Sequence, residues 1–161
     1  MNSDSSDDGK RYKEADSITF TNLPSNPYEW KTWMLNALKE ITAASGRTPS
    51  EAMKWASDFK TATTWQTLQD SGWPNHGKTW ERLDIKIAAA ATKILHGVLV
   101  GKVNAIEQTL ANEVPIKILK GRQILWILNE HYKVAAADGA NQEWENLLNL
   151  QVQRGNLEAY I

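Results

Sequence analysis

Residues 25–41 read SNPYEWKTWMLNALKEI, and this stretch decides the fold class. Trp30, Trp33, Met34, Ala37, Leu38 and Ile41 are spaced by three and four, which sets them along one face of an α-helix. Ser25 or Asn26 can cap it, because a side-chain oxygen there accepts a hydrogen bond from a free N–H of the first turn. Pro27 fits that turn, where its missing N–H costs nothing. Gly46 suits the left-handed residue that stops the helix after Ala44. An apolar stripe this regular needs other elements to cover it.

The pattern recurs downstream. Thr48, Pro49 and Glu51 combine a capping box with proline at the first helical position. Met53, Trp55, Ala56 and Phe59 supply the apolar side of that second helix. A short helix follows Thr63 or Thr64, carries Trp65 and Leu68, and ends near Asp70-Ser71-Gly72. Residues 73–77, Trp-Pro-Asn-His-Gly, form a loop by composition. Trp80, Leu83, Ile87, Ala90, Ala91, Ile94 and Val98 then mark a long helix. Gly97 and Gly101 interrupt it, and a further helix runs through Val103, Ile106 and Leu110.

Pro115 marks another boundary. Residues 116–134 (IKILKGRQILWILNEHYKV) are apolar on most sides around Ile124, Trp126 and Leu128. Periodicity alone allows a strand over the five residues 124–128, but the length and the polar Asn129, Glu130 and His131 favour a buried helix. Asp138-Gly139 reads as the end of a turn. A helix over Asn141–Gln153 carries Trp144, Leu147 and Leu148, and Arg154-Gly155 stops it. Asn156 caps a last, short helix that reads as the start of something longer. No internal repeat, heptad run or strand alternation stands out. The expectation is an all-α fold of about six or seven helices, with Trp30, Trp33, Leu38, Trp80, Leu83, Ile87, Ile94, Ile124, Trp126, Leu128, Trp144 and Leu148 in its core.

Composition narrows the function. With 161 residues, 42 % of them hydrophobic, the chain suits one domain or two small helical lobes. Eight tryptophans supply large surfaces for burial. Residues 1–17 hold five acids and three bases, lack periodicity, and read as a disordered tail. Ile18-Thr19-Phe20 is a short apolar patch that suits an extended strap on the first helix. The formal net charge of −1 lacks the basic excess of a dedicated nucleic-acid binder. The absence of cysteine excludes a disulfide scaffold, a thiolate zinc site and a cysteine nucleophile. No apolar run approaches the roughly 20 residues that span a bilayer, and the acidic, serine-rich start is unlike a secretory signal. A soluble, cytoplasmic protein is expected.

A search for chemistry finds no constellation. His76, His96 and His131 lack the i, i+4 spacing of a helical metal pair, and Glu130-His131 is not an HExxH motif. Gly97-Val-Leu-Val-Gly101 lacks the ending of a phosphate-binding loop. The acid pairs Glu81/Asp84 and Glu143/Glu145 read as solvated helix faces. The expectation is therefore no catalytic residue, no metal site and no cofactor. Lys117, Lys120 and Arg122 form a small basic cluster that fits RNA phosphate or an acidic partner, although such a cluster is more often the wet side of a helix. Trp73 reads equally as an exposed contact residue or as a cover for a helix end.

Three blocks resemble a known family. Residues 23–34 (LPSNPYEWKTWM) resemble the opening of copia-type retrotransposon Gag proteins, where a turn leads to a Tyr, a Trp and a helix. Residues 121–133 (GRQILWILNEHYK) are similar to that family's segment with a central Trp, a Leu and a Tyr. Residues 141–152 followed by 155–161 resemble its next step, a helix with paired leucines leading through a polar turn into another helix. The stretch Asp84-Ile-Lys-Ile-Ala-Ala-Ala90 is similar to its middle helix. The resemblance implies a two-lobed capsid, with a first lobe over residues 18–112 and the start of an incomplete second lobe over 116–161. It implies self-assembly into particles around element RNA, with no membrane involved. The zinc knuckle of many relatives is missing, since there is no cysteine. A helical module that binds a peptide or partner is the competing expectation.

Overall fold

Asn26 opens the helical part of the chain. Its Oδ1 accepts the Tyr28 N–H at 2.8 Å, which caps a 3-10 turn over Pro27–Glu29. That turn feeds α1 (Trp30–Ala44). The computed structural model describes the backbone of residues 13–73 and 78–160, with side chains except at 73, 78–79, 141–143 and 151–160. Gly46 then turns the chain at a φ of 68°, the left-handed value glycine adopts without strain. Pro49 stands first in α2 (Pro49–Ala56). Thr48 and Glu51 meet, but side chain to side chain rather than as a capping box: the Thr48 hydroxyl donates to the Glu51 carboxylate at 3.2 Å and accepts no backbone N–H.

Two 3-10 turns follow, over Ser57–Lys60 and Trp65–Leu68. The second takes the place of the short helix expected after Thr64. A two-residue antiparallel pairing joins β1 (Gly72–Trp73) to β2 (Lys78–Thr79), with Gly72 opposite Thr79. The expected long helix is α3 (Glu81–Ile94). It ends as Leu95 turns extended, Gly97 then takes a φ of 59° that no helix continues, and α4 (Val98–Ala111) follows. An extended stretch leads into α5 (Gly121–Tyr160). Apart from the two-residue pairing, the described chain is helical or irregular, an all-α fold.

One core holds these elements together. The α1 stripe is buried from Trp30 to Ala44, and Ile18, Phe20 and Leu23 of the preceding strap cover it. The Phe20 and Trp33 rings meet edge-on at 5.6 Å, and the Trp33 indole donates to the Thr21 carbonyl at 3.0 Å. Trp30 stacks on Trp33 at 5.1 Å and on Tyr132 of α5 at 4.7 Å. Tyr132 in turn donates its hydroxyl hydrogen to the Pro24 carbonyl at 2.7 Å. Tyr132→Phe is therefore expected to cost about 1 kcal/mol, read as a lower denaturant midpoint at unchanged slope. An unchanged midpoint would show that this bond contributes nothing.

The core corrects several expectations. Residues 13–17 are not a free tail: the Ala15 N–H donates to the Ala44 carbonyl at 2.8 Å, and Lys86 pairs with Glu14. Residues 1–12 lie outside the described residues. The core also runs across the lobe boundary expected between 112 and 116. Leu119, Ile124, Leu125, Ile127 and Leu128 join the same buried cluster as α1 and α3. Asp138-Gly139 and Arg154-Gly155 do not end α5. A helical glycine costs only about 1 kcal/mol relative to alanine, which helix-favouring neighbours such as Ala135–Ala137 offset.

Candidate functional site

Where α5 begins, it lies hard against α3. A Cβ built on Gly121 would sit 2.3 Å from Ile87 Cβ and 2.6 Å from the Asp84 carbonyl oxygen, so only glycine fits. This contact carries Arg122 into the interior, where it is 4 % exposed. Its Nη1 donates to the Trp55 carbonyl at 3.2 Å and to Asp58 Oδ2 at 3.1 Å, while Nη2 donates to the Asp70 carbonyl at 3.0 Å. The guanidinium also lies 4.5 Å from the centre of the Trp55 ring.

Asp84 completes this cluster with no exposed surface at all. Its Oδ2 accepts the Ser71 hydroxyl at 2.7 Å and its Oδ1 accepts the Arg122 backbone N–H at 2.9 Å. Lys120 precedes α5 and offers no capping oxygen, so Asp84 reaches across from α3 to cap it. Gln123 completes the cap by accepting the Lys120 N–H at 2.9 Å. Burial raises the Asp84 carboxyl above the usual aspartate range, against the opposing pull of Ser71 and Arg122. Burial likewise lowers Arg122, opposed chiefly by Asp84 and Asp58. Trp55 stacks on Trp80 at 4.8 Å, and Arg47 lies 3.9 Å over the Trp80 ring. The hydrogen bonds that Arg122 and Asp84 make in this cluster all go to other parts of the same chain, and they tie α3, α5 and the segment from Trp55 to Ser71 together.

The expected contact residues fare unevenly. Arg122 is withdrawn from any partner by its burial, contrary to expectation. Lys120 donates to the Gln69 carbonyl at 2.8 Å and lies 3.7 Å from Glu81, and Lys117 pairs with Glu113 at 3.2 Å. The Trp73 side chain lies outside the described residues. Of the expected core, Trp126 and Ile94 are half-buried, and the Trp126 indole donates to the Ala62 carbonyl at 2.9 Å. Burial fails altogether at Trp144, which is 63 % exposed, and at Leu148, which is 43 % exposed. Their helix has passed beyond the core by that point, so none of the described residues covers the apolar stripe.

The open surface is apolar in two ways. A groove of about 530 Å³ lies between α4, α5 and the Trp65–Leu68 turn. Trp65, Ile106, Trp126, Ile127 and Val134 line it, with Lys102, Glu130 and His131 among its polar members. Lys102 Nζ lies 3.2 Å from His131 Nδ1, and burial, Lys102 and His96 lower the His131 pKa. Further along α5, Trp144, Leu147, Leu148 and Leu150 face solvent, as do Val114, Ile116 and Ile118 before it. Among the described residues no group of three or more His, Asp or Glu side chains is placed to hold a metal ion. None of their helices is long and apolar enough to cross a membrane. Comparison with protein-family models, curated proteins and solved structures finds no match.

Proposed function

We propose that this chain is a capsid-like subunit of the copia-type Gag class, which packs against copies of itself around element RNA and catalyses no reaction. The observation that carries this reading is the apolar surface left outside the core, above all Trp144, Leu147 and Leu148 on α5. Contiguous exposed apolar patches mark protein-contact surfaces in soluble proteins. Val98, Val114, Ile116 and Ile118 supply further exposed apolar positions before α5. A subunit with several different contact patches can extend into arrays, and weak contacts suffice when many act together.

RNA plays a secondary part in this reading. The net charge is −1, Arg122 is buried, and Lys117 and Lys120 have acidic neighbours. That basic cluster is taken up within the chain and no net positive charge remains, so in this reading the chain alone holds RNA weakly and loses it in moderate salt. A cytoplasmic site of action fits a chain with no cysteine to oxidise.

Purified protein is expected to form particles or open arrays in negative-stain micrographs as concentration and salt rise. A field of monomers under every condition would contradict the proposal. The groove beside Trp126 favours a second reading, a module that binds one helical peptide. That reading requires a stable monomer which binds a peptide with one-to-one stoichiometry.

A further inference from the structure

The groove and the stripe lie on the same helix, along one face. Trp126, Glu130, Val134, Ala137, Trp144 and Leu148 recur at spacings that keep them on one side of α5. The groove wall centres near residue 130 and the exposed stripe near residue 146. These points lie about 24 Å apart along a continuous helix, at about 1.5 Å per residue. The stripe therefore cannot fill its own chain's groove.

A second copy can. We propose that two copies pair through antiparallel α5 helices, each stripe filling the other's groove, about a two-fold axis near Asp138. The proposal deepens the self-assembly reading and rests on it. Three observations single out this occupant and orientation. Ala137 and Ala140 flank the axis with small side chains, which lets the two helices approach closely. An axis at 138 sets residue 131 opposite residue 145 of the partner. Lys102 sits at His131, so its ammonium meets the partner's Glu145. A parallel pairing would instead oppose Trp144 to Trp144, leave both grooves empty, and lose the pairing of Lys102 with the partner's Glu145.

The chain has no cysteine, so introduced thiols report geometry cleanly. Under mild oxidation Ala137→Cys is expected to give a disulfide-linked dimer, while Leu148→Cys alone does not. In sedimentation equilibrium, Trp144→Ala should weaken the dimer at least about thirtyfold, as loss of a central aromatic anchor does. Lys102→Glu and Glu145→Lys should each weaken it about tenfold, and together restore it to near wild type, because the reversed charges again meet across the interface. All five substituted positions are exposed, so unchanged thermal melts of the monomer should accompany these losses. Association that ignores Trp144→Ala and the charge reversals, or cross-links as readily through position 148, would overturn this interface and leave self-assembly standing. A protein that stays monomeric at every concentration would overturn both.

Discussion

Gly121→Ala is expected to lower stability by about 3 kcal/mol or more, the upper range for forcing volume into a packed interior. Two effects oppose each other at this position. Alanine favours helix over glycine by up to about 1 kcal/mol. Against that, its Cβ would lie 2.3 and 2.4 Å from two atoms of Ile87 and 2.6 Å from a backbone oxygen of α3. Ile87 is itself fully buried and has nowhere to go. The helices must separate, and their separation also pulls Arg122 and its backbone N–H off Asp84. The steric cost wins. A loss this size is a large part of the 5–15 kcal/mol that stabilises a typical domain. Pairing Gly121→Ala with Ile87→Ala should recover only part of it, since the Asp84 carbonyl remains in the way. A denaturant midpoint equal to wild type for Gly121→Ala would show that α3 and α5 do not cross here.

The second large effect belongs to Asp84. Asp84→Leu is expected to cost about 3–5 kcal/mol, because it leaves the Arg122 charge short of its buried partner. It also strands the Ser71 hydroxyl and the Arg122 N–H, both of which now donate to that carboxylate. Asp84→Asn should cost far less at neutral pH, since the amide keeps an acceptor for the Arg122 N–H and Asp58 remains beside the guanidinium. The sign of the pH dependence follows from the raised carboxyl. A group protonated more readily in the folded state contributes stability that is complete below its unfolded pKa and fades as pH rises through its folded pKa. The advantage of wild type over Asp84→Asn should therefore shrink as pH rises from the ordinary aspartate range towards neutrality. A gap that widens over that interval would mean that pairing with Arg122 outweighs burial.

Much of the fold was legible because it is local. The three-and-four spacing from Trp30 to Ile41, the Asn26-Pro27 start and the Gly97 break each depend on a few neighbouring residues. What sequence could not disclose is where distant segments meet. Lys117, Lys120 and Arg122 look alike in the chain, yet only Arg122 is drawn inside, by acceptors on Trp55, Asp58 and Asp70 that lie more than 50 positions away. The same limit explains Trp144. An apolar stripe reads identically whether its own core or another molecule covers it, so its exposure emerged only once the end of the core near Tyr132 was known. Gly139 misled for a different reason, since glycine signals a stop only where the backbone needs a positive φ.

The central claim is that this chain acts by packing against copies of itself. Sedimentation velocity of the wild-type protein, from low to high micromolar concentration, tests it most directly. The account predicts a weight-average sedimentation coefficient that climbs with concentration and falls back on dilution. A single boundary at the mass of one chain throughout would contradict it.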